Sequence, residues 1–220
     1  MHCVITAGPT YESLDDVRRL TNFSSGKLGS GLANYLEAHG HEVTLLLGHY
    51  ATWRGEQKAR RIREFTTTAS LHDALRELSG GKVDAVFHAA AVSDFGFGRI
   101  WEKTATGELI EAHGGKVSTR SGTLLAELVP TPKIISTLRE WYPAACLVGW
   151  KYEVDGDRAS VIAKGERQLA ENRTTASVVN GAAYGPGFGL VTGAGHCRHL
   201  ADSIELYCAL EAVAAAPNDR

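Results

Sequence analysis

The sequence predicts an α/β fold, a three-layer sandwich around a mainly parallel sheet. Two observations carry that prediction. Short apolar runs rich in β-branched residues recur along the chain, and between them lie segments whose apolar residues return at helical spacing. The opening run Cys3-Val4-Ile5-Thr6-Ala7 is apolar on both alternating sets of positions, as a strand covered on both faces must be. A long loop is expected from Gly8 to Ser25, and a helix from Gly26 to His39, with Leu28, Leu32, Tyr35 and Leu36 on one face, Ser25 as its cap and Gly40 as its end. Val43 to Leu47 and Ile62 to Thr66 read as the second and third strands. Leu71, Ala74, Leu75 and Leu78 mark a further helix, and Val83 to Val92 a fourth strand.

Farther along, Thr131-Pro132 has the form of a capping residue followed by proline at the first helical position, ahead of the stripe Ile134, Ile135, Leu138 and Trp141. Cys146 to Trp150 is the fifth strand, Arg158 to Glu171 a helix, and Ala176 to Asn180 the sixth strand. Gly189 to Thr192 and Cys197 to Leu200 pair as a C-terminal β-hairpin, and a last helix starts near Asp202. The alternation makes the sheet Rossmann-like. In such sheets ligands bind where loops leave the carboxyl ends of the strands.

Composition narrows the function. The 220 residues, 44% hydrophobic, suffice for one sizeable core, and no compositional break divides the span 1–220. A formal net charge of -2 gives no basic surface for a nucleic acid partner. Cys3, Cys146, Cys197 and Cys208 form no CxxC pair and read as buried free thiols in a reducing compartment. No apolar run reaches the roughly 18 residues of a membrane span, and no secretory leader is apparent. A soluble cytoplasmic protein is expected.

Three segments carry chemistry. Thr21-Asn22-Phe23-Ser24-Ser25-Gly26-Lys27-Leu28-Gly29 leads small and hydroxyl residues into a helix start, where free amides and Lys27 suit a phosphate or carboxylate. An ordinary capped helix remains the alternative. His88-Ala89-Ala90-Ala91-Val92-Ser93-Asp94 ends a strand in small residues that let a ligand lie on the backbone, followed by a carboxylate able to accept from a ribose or base or to help hold a metal. Close packing with a capping aspartate is its alternative, and His88 itself reads as a satisfied polar core residue. Gly96 to Ser121 has little apolar periodicity and reads as a loop. There Lys116-Val117-Ser118-Thr119-Arg120 offers cations to a triphosphate, or is merely solvated. Lys164 and Gln168 share a helix face, with Lys151 nearer the strand end.

Two alternative readings are a nicotinamide-dependent reductase and a non-catalytic nucleotide-binding protein, and the reductase is disfavoured. Gly8 and Gly26 are too far apart for a GxGxxG turn, and Leu45-Leu46-Leu47-Gly48-His49 lacks the acidic residue that holds a ribose. No tyrosine has a lysine four positions on.

Taken in order, Gly8-Pro9-Thr10, Asn22 to Gly29, Ala89 to Phe95, Lys116-Val117-Ser118, Thr131-Pro132-Lys133-Ile134 and Val178-Val179-Asn180 resemble the phosphopantothenoylcysteine synthetase family over nearly the whole chain. The resemblance implies a dimeric α/β fold and a ligase of coenzyme A synthesis. In that reaction 4'-phosphopantothenate is activated by CTP or ATP as an acyl-nucleotide, with release of pyrophosphate, and then coupled to cysteine. It further implies that Asn22 and Lys116 are catalytic, with Lys116 on a flap over the phosphates. Gly8, Ala89, Ala90, Ala91, Asp94, Pro132, Lys133, Ile134, Ile135, Trp150 and Lys164 would bind the nucleotide. Asn22, Ser24, Ser25, Gly26 and Lys27 would bind the substrate.

Mg²⁺ is expected with the nucleotide, and no flavin, since the decarboxylase domain often fused to bacterial members is not in this sequence. Trp150-Lys151-Tyr152-Glu153 departs from the common bacterial pattern of an aromatic, two small residues and Glu. Gln168 stands where a second lysine is frequent. CTP use with ATP tolerance is the resulting expectation.

Overall fold

A computed structural model describes residues 1–112, 114–117 and 123–216. Its main sheet has eight strands: β1 (His2–Ala7), β4 (Glu42–Gly48), β5 (Arg61–Phe65), β6 (Ala85–His88), β10 (Cys146–Tyr152), β11 (Ala176–Asn180), β12 (Phe188–Gly193) and β13 (His196–Leu200). Their spatial order is β13-β12-β11-β10-β6-β1-β4-β5. The six strands from β5 to β11 are parallel, while β12 and β13 join antiparallel as the expected C-terminal hairpin.

Alternation along each strand builds the three layers. Cys3, Ile5, Val43, Leu45, Ala85, Phe87, Cys146 and Val148 pack with α1 (Lys27–Ala38) and α5 (Ser203–Ala215). Val4, Leu46, Val86 and Leu147 point the other way, into a cluster with α2 (Thr68–Leu78) and α3 (Ile134–Trp141). On the second face α4 (Arg158–Asn172) seats Val161 against Val179 and Val191. Its start is a capping box between Asp157 and Ser160.

Four local readings are corrected. The fourth strand is Ala85–His88 rather than Val83 to Val92, because Ala89 N–H already turns back to the Phe87 carbonyl. The span from Gly8 to Ser25 is no plain loop; it holds the hairpin of β2 (Tyr11–Ser13) and β3 (Arg19–Thr21). The span from Gly96 to Ser121 is no plain loop either: among its described residues β7 (Phe95–Lys103) and β8 (Leu109–Glu111) pair, and with β9 (Thr123–Pro130), which follows the span, they form a three-stranded antiparallel arm in the order β8-β7-β9. Finally, Thr131 and Pro132 precede α3 without capping it, and Lys133 occupies the cap position. Thr131 instead gives its N–H to the Asp94 carbonyl and its hydroxyl to the Ser93 carbonyl. Ser118, Thr119 and Arg120 lie outside the described residues.

Candidate functional site

The chain leaves β1 outward to β4 and β5 and returns on the other side to β6, so the strand order reverses between β1 and β6. A ligand crevice belongs at the carboxyl ends of strands at such a point. A cleft of about 940 Å³ opens there, large enough for a nucleotide.

Two glycines shape its near edge. Gly8 and Gly26 have φ of 84° and 76°, and a Cβ on Gly26 would lie 3.2 Å from the Gly8 nitrogen. Only paired glycines let the end of β1 and the start of α1 approach so closely. Gly26 caps α1 without a side-chain bond, and Ser25 does not cap the helix as expected, although its hydroxyl accepts from Lys27 N–H at 3.3 Å. The first-turn amides of α1 therefore point at the cleft edge with Lys27 beside them, which is how helix starts hold anions. Asn22 donates its amide N–H to the Ala91 carbonyl at 3.2 Å, which lays its side chain on the small-residue floor.

The far wall comes from β10 and α4. Glu153, with a side chain only 16% exposed, holds Lys164 and, at 3.1 Å, Lys151. The Lys164 ammonium above all keeps the Glu153 carboxyl below its usual range. Gln168 faces inward, giving its amide N–H to the Trp150 carbonyl at 3.1 Å and accepting the Ser177 hydroxyl at 2.8 Å. It lines the cleft and braces the strand under Trp150. Arg167, three residues after Lys164 on the same helix, lines the cleft and has no ion-pair partner among the described residues. The i, i+3 spacing from Lys164 was the available signal for it. At the mouth Lys133 pairs with Asp94, both largely exposed.

Among the site residues expected from sequence, the cleft is lined by Asn22, Ser24, Ser25, Gly26, Lys27, Ala89, Ala90, Ala91, Asp94, Pro132, Lys133, Ile134, Ile135, Trp150 and Lys164. Two stand outside the lining. Gly8 lies under it, its carbonyl accepting Ala91 N–H at 3.0 Å. Lys116 is exposed on a segment tied to the β2–β3 hairpin. There the Asp15 carboxylate, 1% exposed, accepts from the Arg18 guanidinium and from Val117 N–H at 3.2 Å, and Arg18 donates to the Val117 carbonyl at 2.7 Å. The Arg18 bond is the main reason the Asp15 carboxyl is held far below the ordinary range.

Lining side chains include five cations, Lys27, Lys133, Lys151, Lys164 and Arg167, against three carboxylates, Asp94, Glu153 and Glu171. That balance suits anionic ligands. A protein-held metal fits poorly, because among the described residues no three His, Cys, Asp or Glu side chains converge on one point.

Fold and cleft together define an α/β domain with a cation-rich cleft over the ends of a parallel sheet. Residues 1–202 match the family described as the DNA/pantothenate metabolism flavoprotein C-terminal domain, and the chain belongs to that family, which is the phosphopantothenoylcysteine synthetase domain. The Coenzyme A biosynthesis bifunctional protein CoaBC of Thermococcus kodakarensis is 35% identical over 179 residues, covering 80% of this chain and 40% of that protein. The chain spans less than half the length of the curated relatives it matches first. The crystal structure of the DNA/pantothenate metabolism flavoprotein from Streptococcus pneumoniae superposes with a TM-score of 0.82 at 26% identity, covering 96% of this chain and 97% of that one. A Cab2 mutant in complex with phosphopantothenate-cysteine shares the fold, with a TM-score of 0.71 at 20% identity over 97% of this chain and 85% of that one.

Proposed function

We propose that this chain is a phosphopantothenate–cysteine ligase that works through an acyl-nucleotide. One observation carries the reading. Two cation-bearing walls, the α1 start with Lys27 and the α4 face with Lys164 and Arg167, flank a floor of small residues, Ala89 to Ala91, on which the Asn22 amide rests.

Such a cleft suits two anionic reactants meeting end to end. The α1 amides and Lys27 hold the phosphate of 4'-phosphopantothenate, and Lys164, Arg167 and Lys133 hold the nucleoside triphosphate. The substrate carboxylate attacks the α-phosphorus and pyrophosphate leaves with its electron pair. The cysteine amine then attacks the acyl carbon, loses a proton, and expels the nucleoside monophosphate. Neither step uses an enzyme nucleophile, so positioning and neutralised phosphate charge supply the catalysis. Asn22 both donates and accepts, which suits it to the acyl-phosphate.

Mg²⁺ would come with the triphosphate rather than from a protein-held site, and would offset part of its phosphate charge. Trp150 offers a stacking face to either base, and CTP is preferred with ATP tolerated. Lys116 neutralises phosphate after its segment closes. The functional unit is a homodimer, joined through the apolar arm of β7 to β9.

Parallel assays of pyrophosphate release with CTP and ATP, each with phosphopantothenate, Mg²⁺ and cysteine, test this. Release that requires phosphopantothenate is expected, with nucleoside monophosphate appearing only when cysteine is added. Asn22→Asp should slow the cysteine-dependent half and let the acyl-nucleotide accumulate. Absence of pyrophosphate with both nucleotides would remove the ligase reading, while ATP outpacing CTP would overturn only the base preference.

A further inference from the structure

His88 closes β6 at the point where the strand order reverses, and lies in register beside Thr6 of β1. Its side chain is buried, 7% exposed, yet it lines the cleft. The fully buried Thr6 hydroxyl makes two bonds that together fix the imidazole. Ala90 N–H donates to Thr6 Oγ1 at 3.0 Å, and Oγ1 lies 3.0 Å from His88 Nδ1. An amide can only donate, so Oγ1 accepts there and has its own proton left to give. Nδ1 is the acceptor within reach. The reverse arrangement, with Nδ1–H donating, would leave the hydroxyl proton of a buried threonine unpaired, at the cost of desolvating it.

The His88 proton therefore sits on Nε2. That nitrogen has no partner among the described residues, and it is not one of the buried polar atoms closed off from solvent. The cleft is the opening that His88 lines. Burial also pushes the imidazole down to about pKa 4, so at neutral pH it carries no charge.

We propose that His88 is a ligand-contacting residue whose Nε2–H donates a hydrogen bond to an oxygen of the reactant lying over Ala89 to Ala91. It is a neutral donor with a tautomer set by Thr6. It transfers no proton. Its contribution is to meet charge that builds on a phosphoryl or acyl oxygen, as a preorganised donor in a water-poor site does. The tautomer stands on local geometry alone; the ligand's identity as an acyl-nucleotide rests on the ligase reading.

Imidazole ¹⁵N shifts of the whole chain test the two parts separately, with His88 among the nine histidines identified through the spectrum of His88→Gln. The expected result is the Nε2–H form at pH 7 in wild type, mixed tautomers in Thr6→Val, and movement of the His88 Nε2 signal when CTP and phosphopantothenate are added. An Nδ1–H tautomer in wild type would overturn the inference and leave the ligase reading intact. So would movement of the Ala89 to Ala91 amides with a motionless His88 signal. If neither moves while pyrophosphate is still released, the reactants sit elsewhere and the inference falls; if none is released, the ligase reading falls with it. Kinetically, His88→Leu should lose about a hundredfold in turnover, the lower end of the scale for one preorganised donor, with the nucleotide KM nearly unchanged. His88→Gln, which retains an N–H, should recover part of that loss. A folded His88→Leu protein with turnover within about twofold of wild type would overturn the proposal, since a donor of this kind is worth more.

Discussion

Strands β6 and β9 both carry apolar runs, and the fold treats them oppositely. All four residues of β6 are buried, whereas β9 has none below intermediate exposure. Helices cover both faces of β6. The arm built on β9 has no such layers, and it leaves Phe95, Leu109, Ile110, Leu125, Leu128 and Val129 exposed. An apolar run is thus a statement about covering layers as much as about a strand. Where the layers are missing within one chain, an apolar surface of this kind is expected to meet a partner.

The sharpest way to break the comparison is to cut a cavity in each region. Phe87→Ala, in a fully buried position, should cost about 3 to 5 kcal/mol in urea unfolding. A loss below about 1 kcal/mol would mean the centre of the sheet is not the core.

Next in size is the buried imidazole of β6. Its pKa in the fold, about 4, lies below the ordinary 6.5 of the unfolded chain. Protonation therefore favours unfolding. The stabilising contribution of neutral His88 is complete above pH 6.5 and is lost as pH falls toward 4, by about 3 kcal/mol in all. His88→Gln should flatten the stability curve in that window. An unchanged slope would show that His88 titrates normally.

A smaller and local effect is expected at the Asp15 clasp, which ties the Lys116 segment to the β2–β3 hairpin. Asp15→Ala should quicken tryptic cleavage after Lys116 several-fold while shifting the global urea midpoint little. The smallest effect on stability belongs to the arm itself. Leu128→Ala, at a position 51% exposed, should change unfolding free energy by no more than about 0.5 kcal/mol yet weaken self-association in sedimentation. A protein that is monomeric before and after the change would end the proposed dimer role of the arm.

The same contrast explains what was legible in the sequence. The parallel strands were readable because double-sided burial leaves continuous apolar runs, and the start of α5 because Asp202, the residue named there, caps it. The arm escaped because its strands are exposed, carry Gly96 and Gly98, and are bulged between Phe97 and Ile100. Thr131-Pro132 misled because it has the form of a helix start while Thr131 is held by Ser93 and Asp94. In the cleft, residues next to small-residue or glycine motifs were found. His88 was read only as core, since its second nitrogen acquires meaning from Thr6, a residue distant in sequence.

The Asp15 clasp bears on how the floor of the cleft and Lys116 are joined. The Ala91 carbonyl accepts Thr10 N–H, the Thr10 carbonyl accepts the Thr21 hydroxyl, and Thr21 pairs with Tyr11 in the hairpin whose turn carries Asp15 and Arg18. Asp15 and Arg18 grip Val117. Floor, hairpin and Lys116 segment are thus joined by one run of contacts from Ala91 to Val117. A reactant that seats on Ala91 would rest on the same relay of contacts that holds the Lys116 segment.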